Sequence, residues 1–413
     1  MSAPSDSLAG ASKLLEHRSF VAYWCARTST NGAYQMQAVA VGWQIYELTG
    51  SAFDLGLVGL VQFFPVVVLG LLIGHIADRY DRRVVVGTCQ VIKALAAAAF
   101  ALGTLGGLLT RDAMLAILFV SGTARAFETP TMHTLVPGIV PPELLPRAIA
   151  ASSTASQTAI ICGPAIGGLL YVFGASTVYL TCTAVFVLAS ILVSFIQMQR
   201  TPPEKKPVTV EAVFAGFRYI RHNPVVLGAI SLDLFAVLLG GVTALLPIYA
   251  KDVLEAGPWG LGLLRSAPAI GALAISIWLA HHQIERRVGR VLFIAVAAFG
   301  AAAIAFAFST SIVISILALA VYGASDAVSV VLRQSLVQTR TPHEMLGRVM
   351  AVNFMFTGTS GTLGEFRAGA VAALFGAFTS VLVGGIGTIA VALLWMKLFP
   401  ELRRIDTIQG KPD

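Results

Sequence analysis

Gly74-His75-Ile76-Ala77-Asp78-Arg79-Tyr80-Asp81-Arg82-Arg83 is a knot of charge between two long apolar runs, one beginning near Phe53 and the other lasting to about Leu109. So much charge cannot rest in hydrocarbon, so the stretch reads as a tight turn at a membrane surface joining two spanning segments. Read alone, it admits two roles: a functional latch, or a set of arginines that only anchors a loop on the cytoplasmic side.

Composition settles the class. Of 413 residues, 56% are hydrophobic and 12% charged, and the mean hydropathy of +0.80 leaves no ordinary water-facing surface. Backbone polar groups must then be satisfied within the chain, by helices or a closed barrel. The apolar runs are long and do not alternate, which argues against a barrel. A spanning helix needs about 20 apolar residues. On that measure twelve spans are expected, near 20–48, 53–78, 84–109, 113–136, 148–171, 177–199, 224–249, 259–280, 288–308, 312–337, 349–373 and 379–399. With both termini in the cytoplasm, the inner segments hold twenty lysines and arginines and the outer loops only Arg111 and Lys251. That bias fixes the orientation and explains the net charge of +7 without any nucleic-acid partner.

The four cysteines, Cys25, Cys89, Cys162 and Cys182, lie far apart within expected spans and form neither a zinc spacing nor a disulfide framework. Met1 to Ser19 lack the pattern of a secretory signal, so the first span is expected to direct insertion. No phosphate loop, nucleophile elbow or metal motif points to an enzyme or to a cofactor.

Polar residues inside the spans are the candidates for function. Arg27, Asn31 and Gln35 recur every four residues on one face of the first span, either lining a cargo cavity or bonding between helices. Arg125 and Glu128, three residues apart in the fourth span, share a face and are expected to pair. They read as substrate or proton handling, or as a buried structural pair. In the fifth span, Cys162-Gly163-Pro164-Ala165-Ile166-Gly167-Gly168 permits close backbone approach and a bend, a seam that seals one face or ordinary small-residue packing.

The apolar signal stops between Arg200 and Asn223. Thr201-Pro202-Pro203-Glu204-Lys205-Lys206-Pro207 is a linker, followed by an amphipathic stretch from Val210 to Arg221 suited to the inner leaflet. Three parts are expected: a six-helix bundle over 1–199, a cytoplasmic linker over 200–223 and a second bundle over 224–413. The halves also repeat. An offset of 201 carries Gly122 onto Gly323, Pro141 onto Pro342, Glu143 onto Glu344, Arg147 onto Arg348, Gly163 onto Gly364 and Gly168 onto Gly369. An offset of 207 carries Asp78, Arg79 and Arg83 onto Glu285, Arg286 and Arg290. Such a repeat marks a two-bundle transporter. The symmetry breaks where Arg125 maps to Asp326 and Pro164 to Glu365. Asp233, Asp326 and Glu365, with Glu128, are therefore candidates for carrying protons. Asp326 reads otherwise as a charge partner for Arg125 or for Arg333, a heptad beyond it, and Arg333 is also a candidate for the substrate cavity.

The opening loop resembles the signature between the second and third helices of the major facilitator superfamily, and Gly163-Pro164 to Gly168 resembles the family's antiporter motif. Val41 to Ser51, Ala244 to Pro247, Gly262 to Pro268 and Leu363 to Phe366 are similar to the branch holding the enterobactin exporter and macrolide efflux proteins. The resemblance implies an all-α membrane protein of twelve helices in two six-helix bundles, monomeric in a bacterial inner membrane and surrounded by lipid. It implies proton-coupled export of a small amphipathic molecule, a siderophore or drug, by alternating access and without a cofactor. A uniporter or importer, and a receptor that does not transport, are the other readings. The resemblance also implies gating roles for Gly74, Asp78, Arg79, Arg82 and Arg83, and for Gly163, Pro164, Gly167 and Gly168. Arg367 departs from the branch pattern and would set a cation beside Glu365.

Overall fold

The computed structural model describes residues 14, 16–69, 79–198, 210–282, 284 and 286–407. Gly74, Asp78 and linker residues 200–209 lie outside the described residues. Among the described residues all regular structure is helical. The first half holds α1 (Arg18–Thr49), α2 (Ala52–Val68), α3 (Arg82–Leu105), α4 (Arg111–Ile139), α5 (Leu145–Tyr171) and α6 (Ala175–Ser194). A shorter α7 (Val210–His222) leads into α8 (Pro224–Gly240), α9 (Gly257–His281), α10 (Val288–Phe308), α11 (Ile312–Arg340), α12 (His343–Phe375), α13 (Ala377–Leu398) and the short α14 (Pro400–Arg404).

Seven of these segments are long and apolar enough to cross a bilayer: α3, α6, α9, α10, α11, α13 and the run from Pro224 to Val253 that starts with α8. Of the other long helices, α1, α4, α5 and α12 are more polar, carrying charged and small residues suited to packing on other helices, and α2 is apolar over its described residues Ala52–Val68. Leu95, Leu102, Leu169, Leu317 and Leu393 are each more than half exposed, the lipid-facing coat expected of such a chain.

Local sequence explains where the helices start and stop. Asp81 caps α3, accepting from the Arg83 backbone N–H at 2.9 Å, and Asn223 caps α8 at Val226, with Pro224 as its first residue. α1 ends at Gly50, whose φ of 61° places it in the left-handed region that glycine tolerates.

The seventh expected span, 224–249, is broken. After Gly240 the chain leaves helical geometry at Gly241 and resumes through a 3-10 turn at Thr243–Leu245 and a π turn at Tyr249–Val253. Carbonyls at a helix end need donors from elsewhere. Arg367 Nη2 donates to the Leu239 oxygen at 2.6 Å and the Tyr322 hydroxyl to the Gly240 oxygen at 2.8 Å. The sequence put Arg367 beside Glu365 as a companion charge; its guanidinium instead serves the broken end of α8.

The chain forms two compact units. One comprises residues 1–50, 61–206 and 261–266, the other 51–60, 207–260 and 267–413. Each sequence half thus lends a short segment, from α2 or from α9, to the other's unit. Unit 1 packs around Phe20, Tyr23, Val86, Met132, Leu135 and Val193. Unit 2 packs around Leu292, Leu332, Leu336, Val349 and Trp395.

Glycine makes the seam of unit 1. A methyl group at Gly163 would stand 2.7 Å from Gln35 Cβ, and one at Gly167 would stand 2.7 Å from Met36 Cα, so α5 lies directly on α1. A methyl group at Gly262, in the segment lent by α9, would stand 2.5 Å from the Pro164 carbonyl oxygen and 3.2 Å from the Cα atoms of Ala165 and Gly168. α5 runs unbroken through Pro164. Gly167→Ala is therefore expected to lower stability by about 1–3 kcal/mol through overpacking, whereas Gly87→Ala in α3, with open space at its Cβ, should be neutral or slightly stabilising. Unfolding midpoints of the purified variants in detergent test this, and equal midpoints would show the seam to be loose.

Candidate functional site

Unit 1 holds a cavity of about 230 Å3 whose lining includes Arg27, Asn31, Tyr34, Lys93, Arg125, Glu128, His133 and Ser156. α1, α3, α4 and α5 supply these side chains, each from the face turned inward. Glu128 and Lys93 are almost fully buried, at 3% and 1% exposure, and pair at 2.6 Å. The second Glu128 oxygen accepts a very short bond from Gln90 Nε2, which also donates to Thr30 Oγ1 at 2.6 Å. Lys93 sits 4.5 Å from the centre of the Phe186 ring. A buried charge without a partner costs several kcal/mol, so this closed network is what lets both ions reside in the membrane.

The partnership differs from the expected one. Glu128 pairs with Lys93 across α3 and α4, and Arg125 instead lies over the Tyr34 ring, 3.4 Å from its centroid. Arg125 is exposed, its guanidinium open to the cavity. Tyr34 is itself held by a 3.0 Å hydrogen bond to Gln62. Arg27 donates to the Tyr23 hydroxyl at 2.6 Å and to Ser156 Oγ at 3.2 Å, and Asn31 donates to the same Ser156 oxygen at 3.1 Å. Gln35, expected beside them, is not in the lining: it packs on α5 at Gly163. Lys93 and Gln90 escaped the sequence reading, although a lone lysine within an apolar span was signal enough to single it out.

Unit 2 carries a second buried pair, with the signs reversed between its elements. Asp233 on α8 meets Arg333 on α11 at 2.5 Å, and both are less than a tenth exposed. Thr357 donates to the other Asp233 oxygen at 3.1 Å, and Arg333 Nε is bound to Ser329. The sequence placed Arg333 in the substrate cavity or with Asp326. Its guanidinium is committed to Asp233, and the space beside the pair is only about 30 Å3.

Asp326 lies next to this pair. It lines a narrow space of about 10 Å3 with Asp233, Val296, Phe299 and Ser329, at the limit for one water. Among the described residues it makes no hydrogen bond and no ion pair. Glu365 differs, since its carboxylate rests against Gly59 in the α2 segment of unit 2 and has a partner.

At the charged turn before α3, Arg79 is exposed. Arg83 grips Asp81 at 2.7 Å and donates to the Ile196 carbonyl at 3.1 Å, tying the start of α3 to the end of α6. Arg82 reaches the Thr134 carbonyl at 3.4 Å. The Arg83 guanidinium holds the Asp81 carboxyl below its ordinary range, so the staple is intact at neutral pH and loosens only as acid protonates Asp81.

The chain matches the sequence model of the family described as "Transmembrane secretion effector" over residues 9–412. It is 26% identical over 412 residues to the enterobactin exporter EntS of Citrobacter koseri, covering 97% of each chain. It is 28% identical over 407 residues to the enterobactin exporter EntS of Escherichia coli O81, covering 95% of this chain and 94% of that one. Its fold resembles the crystal structure of a bacterial homolog of the human lysosomal transporter Spinster, with a TM-score of 0.73, 14% identity, and 96% and 99% of the two chains covered.

Proposed function

This chain belongs to the transmembrane secretion effector family of the major facilitator superfamily, whose members are transporters and not enzymes, and from that premise we propose that it is a proton-coupled exporter of a small siderophore-like molecule. The names of its relatives support export and the cargo class. The excess of cytoplasmic cations supports an inner-membrane location with both termini inside.

Asp326 is the observation that carries the coupling. Of the four carboxylates suggested by the sequence, Glu128 is bound to Lys93, Asp233 to Arg333, and Glu365 is engaged, leaving Asp326 without a bond that would hold it in one charge state. A proton arriving there changes the charge beside the Asp233–Arg333 pair, which joins α8 to α11 and, through Thr357, to α12. Occupancy of one carboxyl is thereby linked to the arrangement of three helices. Cargo and proton bias the transporter only through their different affinities for its inward- and outward-open states. In that cycle the turn with Asp78, Arg79, Arg82 and Arg83 acts as the inner latch, and the Gly163–Gly168 seam as the element that seals against leakage.

The test is transport in everted vesicles or proteoliposomes. An imposed proton gradient, acid inside, should drive enterobactin or a related siderophore inward against its concentration, with a matching loss of the gradient on cargo addition. Flux that only runs downhill and ignores the gradient would identify a uniporter and reject the proposal.

A further inference from the structure

We infer that the unit 1 cavity binds an aromatic carboxylate, whose acid group pairs with Arg27 and whose ring lies on the open face of the Arg125 guanidinium. This rests on the transport reading and adds the chemical class of ligand. Charge is the first ground. The lining holds three cations, Arg27, Lys93 and Arg125, and one carboxylate, Glu128. Lys93 consumes that carboxylate. Neither Arg27 nor Arg125 is ion-paired or hydrogen-bonded to a carboxylate among the described residues, Glu128 acting on Arg125 only from a distance, although a cation at membrane depth is costly when left without a close counter-charge. An anionic ligand supplies the missing charge.

Arrangement is the second ground. Tyr34, which carries Arg125, follows Arg27 by two turns of α1, about 10 Å of rise. One acid group does not serve both arginines at that separation, whereas a ring with a carboxylate at its edge reaches from one to the other. Arg27 is pre-set by Tyr23 and Ser156. Arg125 is laid flat by Tyr34, which is fixed by Gln62, and a guanidinium so laid stacks a planar ring on its other face. Size is the third ground. A cavity of about 150 Å3 is enough for benzene, so about 230 Å3 takes one substituted ring. A small inorganic anion would leave Met132 and Ile160, the apolar part of the lining, against water.

Equilibrium binding to the purified full-length protein tests this with three probes: salicylate, its neutral analogue 2-hydroxybenzyl alcohol, and acetate. Salicylate is expected to bind at least about tenfold tighter than either, the effect of one charge-assisted hydrogen bond or more. Arg27→Gln should reduce salicylate to the level of the alcohol. Arg125→Lys, which keeps the charge and removes the plane, should weaken salicylate and the alcohol together and leave acetate unchanged, and Arg27→Lys should retain part of the acid preference. Unchanged thermal midpoints confirm that these variants fold. Equal binding of salicylate and the alcohol, equal binding of salicylate and acetate, or a preference that survives Arg27→Gln would overturn the assignment. No gradient enters this measurement. Binding without uphill flux would count against proton-driven export alone, and uphill flux of siderophore without salicylate binding would count against this site alone.

Discussion

Asp326→Asn is expected to abolish proton-driven accumulation of cargo, a loss of at least about a hundredfold, while equilibrium cargo binding and the unfolding midpoint stay close to those of the parent. The effect is large because asparagine fills the same space but cannot release or accept a proton. It is selective because Asp326 makes no hydrogen bond and no ion pair among the described residues, so nothing that holds unit 2 together is removed. Cargo exchange across the membrane with no gradient should continue, since that process needs only the conformational equilibrium. Asp233→Asn is the contrasting variant. It leaves Arg333 buried without its partner, and its loss of transport should come with a loss of folded protein. Full proton-linked flux in Asp326→Asn vesicles would transfer the coupling to another carboxylate.

The second large effect is on stability. Removing one member of the buried pair in unit 1, as in Lys93→Met or Glu128→Leu, should destabilise the protein by about 3–5 kcal/mol, because the other ion stays in the membrane with no counter-charge. The double variant Lys93→Met/Glu128→Leu should recover most of that loss. Replacing both ions by apolar groups of similar size is often neutral or better, and Gln90 still has Thr30 to bind. The two singles and the double form a cycle whose coupling energy is read from reversible unfolding in mixed detergent micelles. Additive single losses would mean that water in the cavity, not the partner, compensates each charge.

Much of the architecture could be read from hydropathy, since a bilayer sorts residues by polarity over stretches of about 20 residues and leaves few alternatives. The seven strongly apolar segments stood out in this way. The Glu128 site was legible as a buried ion, because an acid in such a span must have a partner, but the wrong partner was chosen. Spacing along one helix favoured Arg125, three residues away, and packing brought Lys93 from α3 within 2.6 Å. The same limit applied to Arg333, taken as a neighbour of Asp326 on α11 and found bound to Asp233 of α8. It applied to Gln35 as well, which shares the polar face of Arg27 and Asn31 but is covered by Gly163.

Polarity pattern along the chain was sufficient for the helical membrane class and for the residues too polar to face lipid, because both follow from a segment's own exchange between water and hydrocarbon. Which ion meets which, and which acid is left without a bond, followed only from the packed helices. Those pairings join residues 35 and 100 positions apart, and a periodicity of 3.6 residues carries no information about the neighbour on the facing helix.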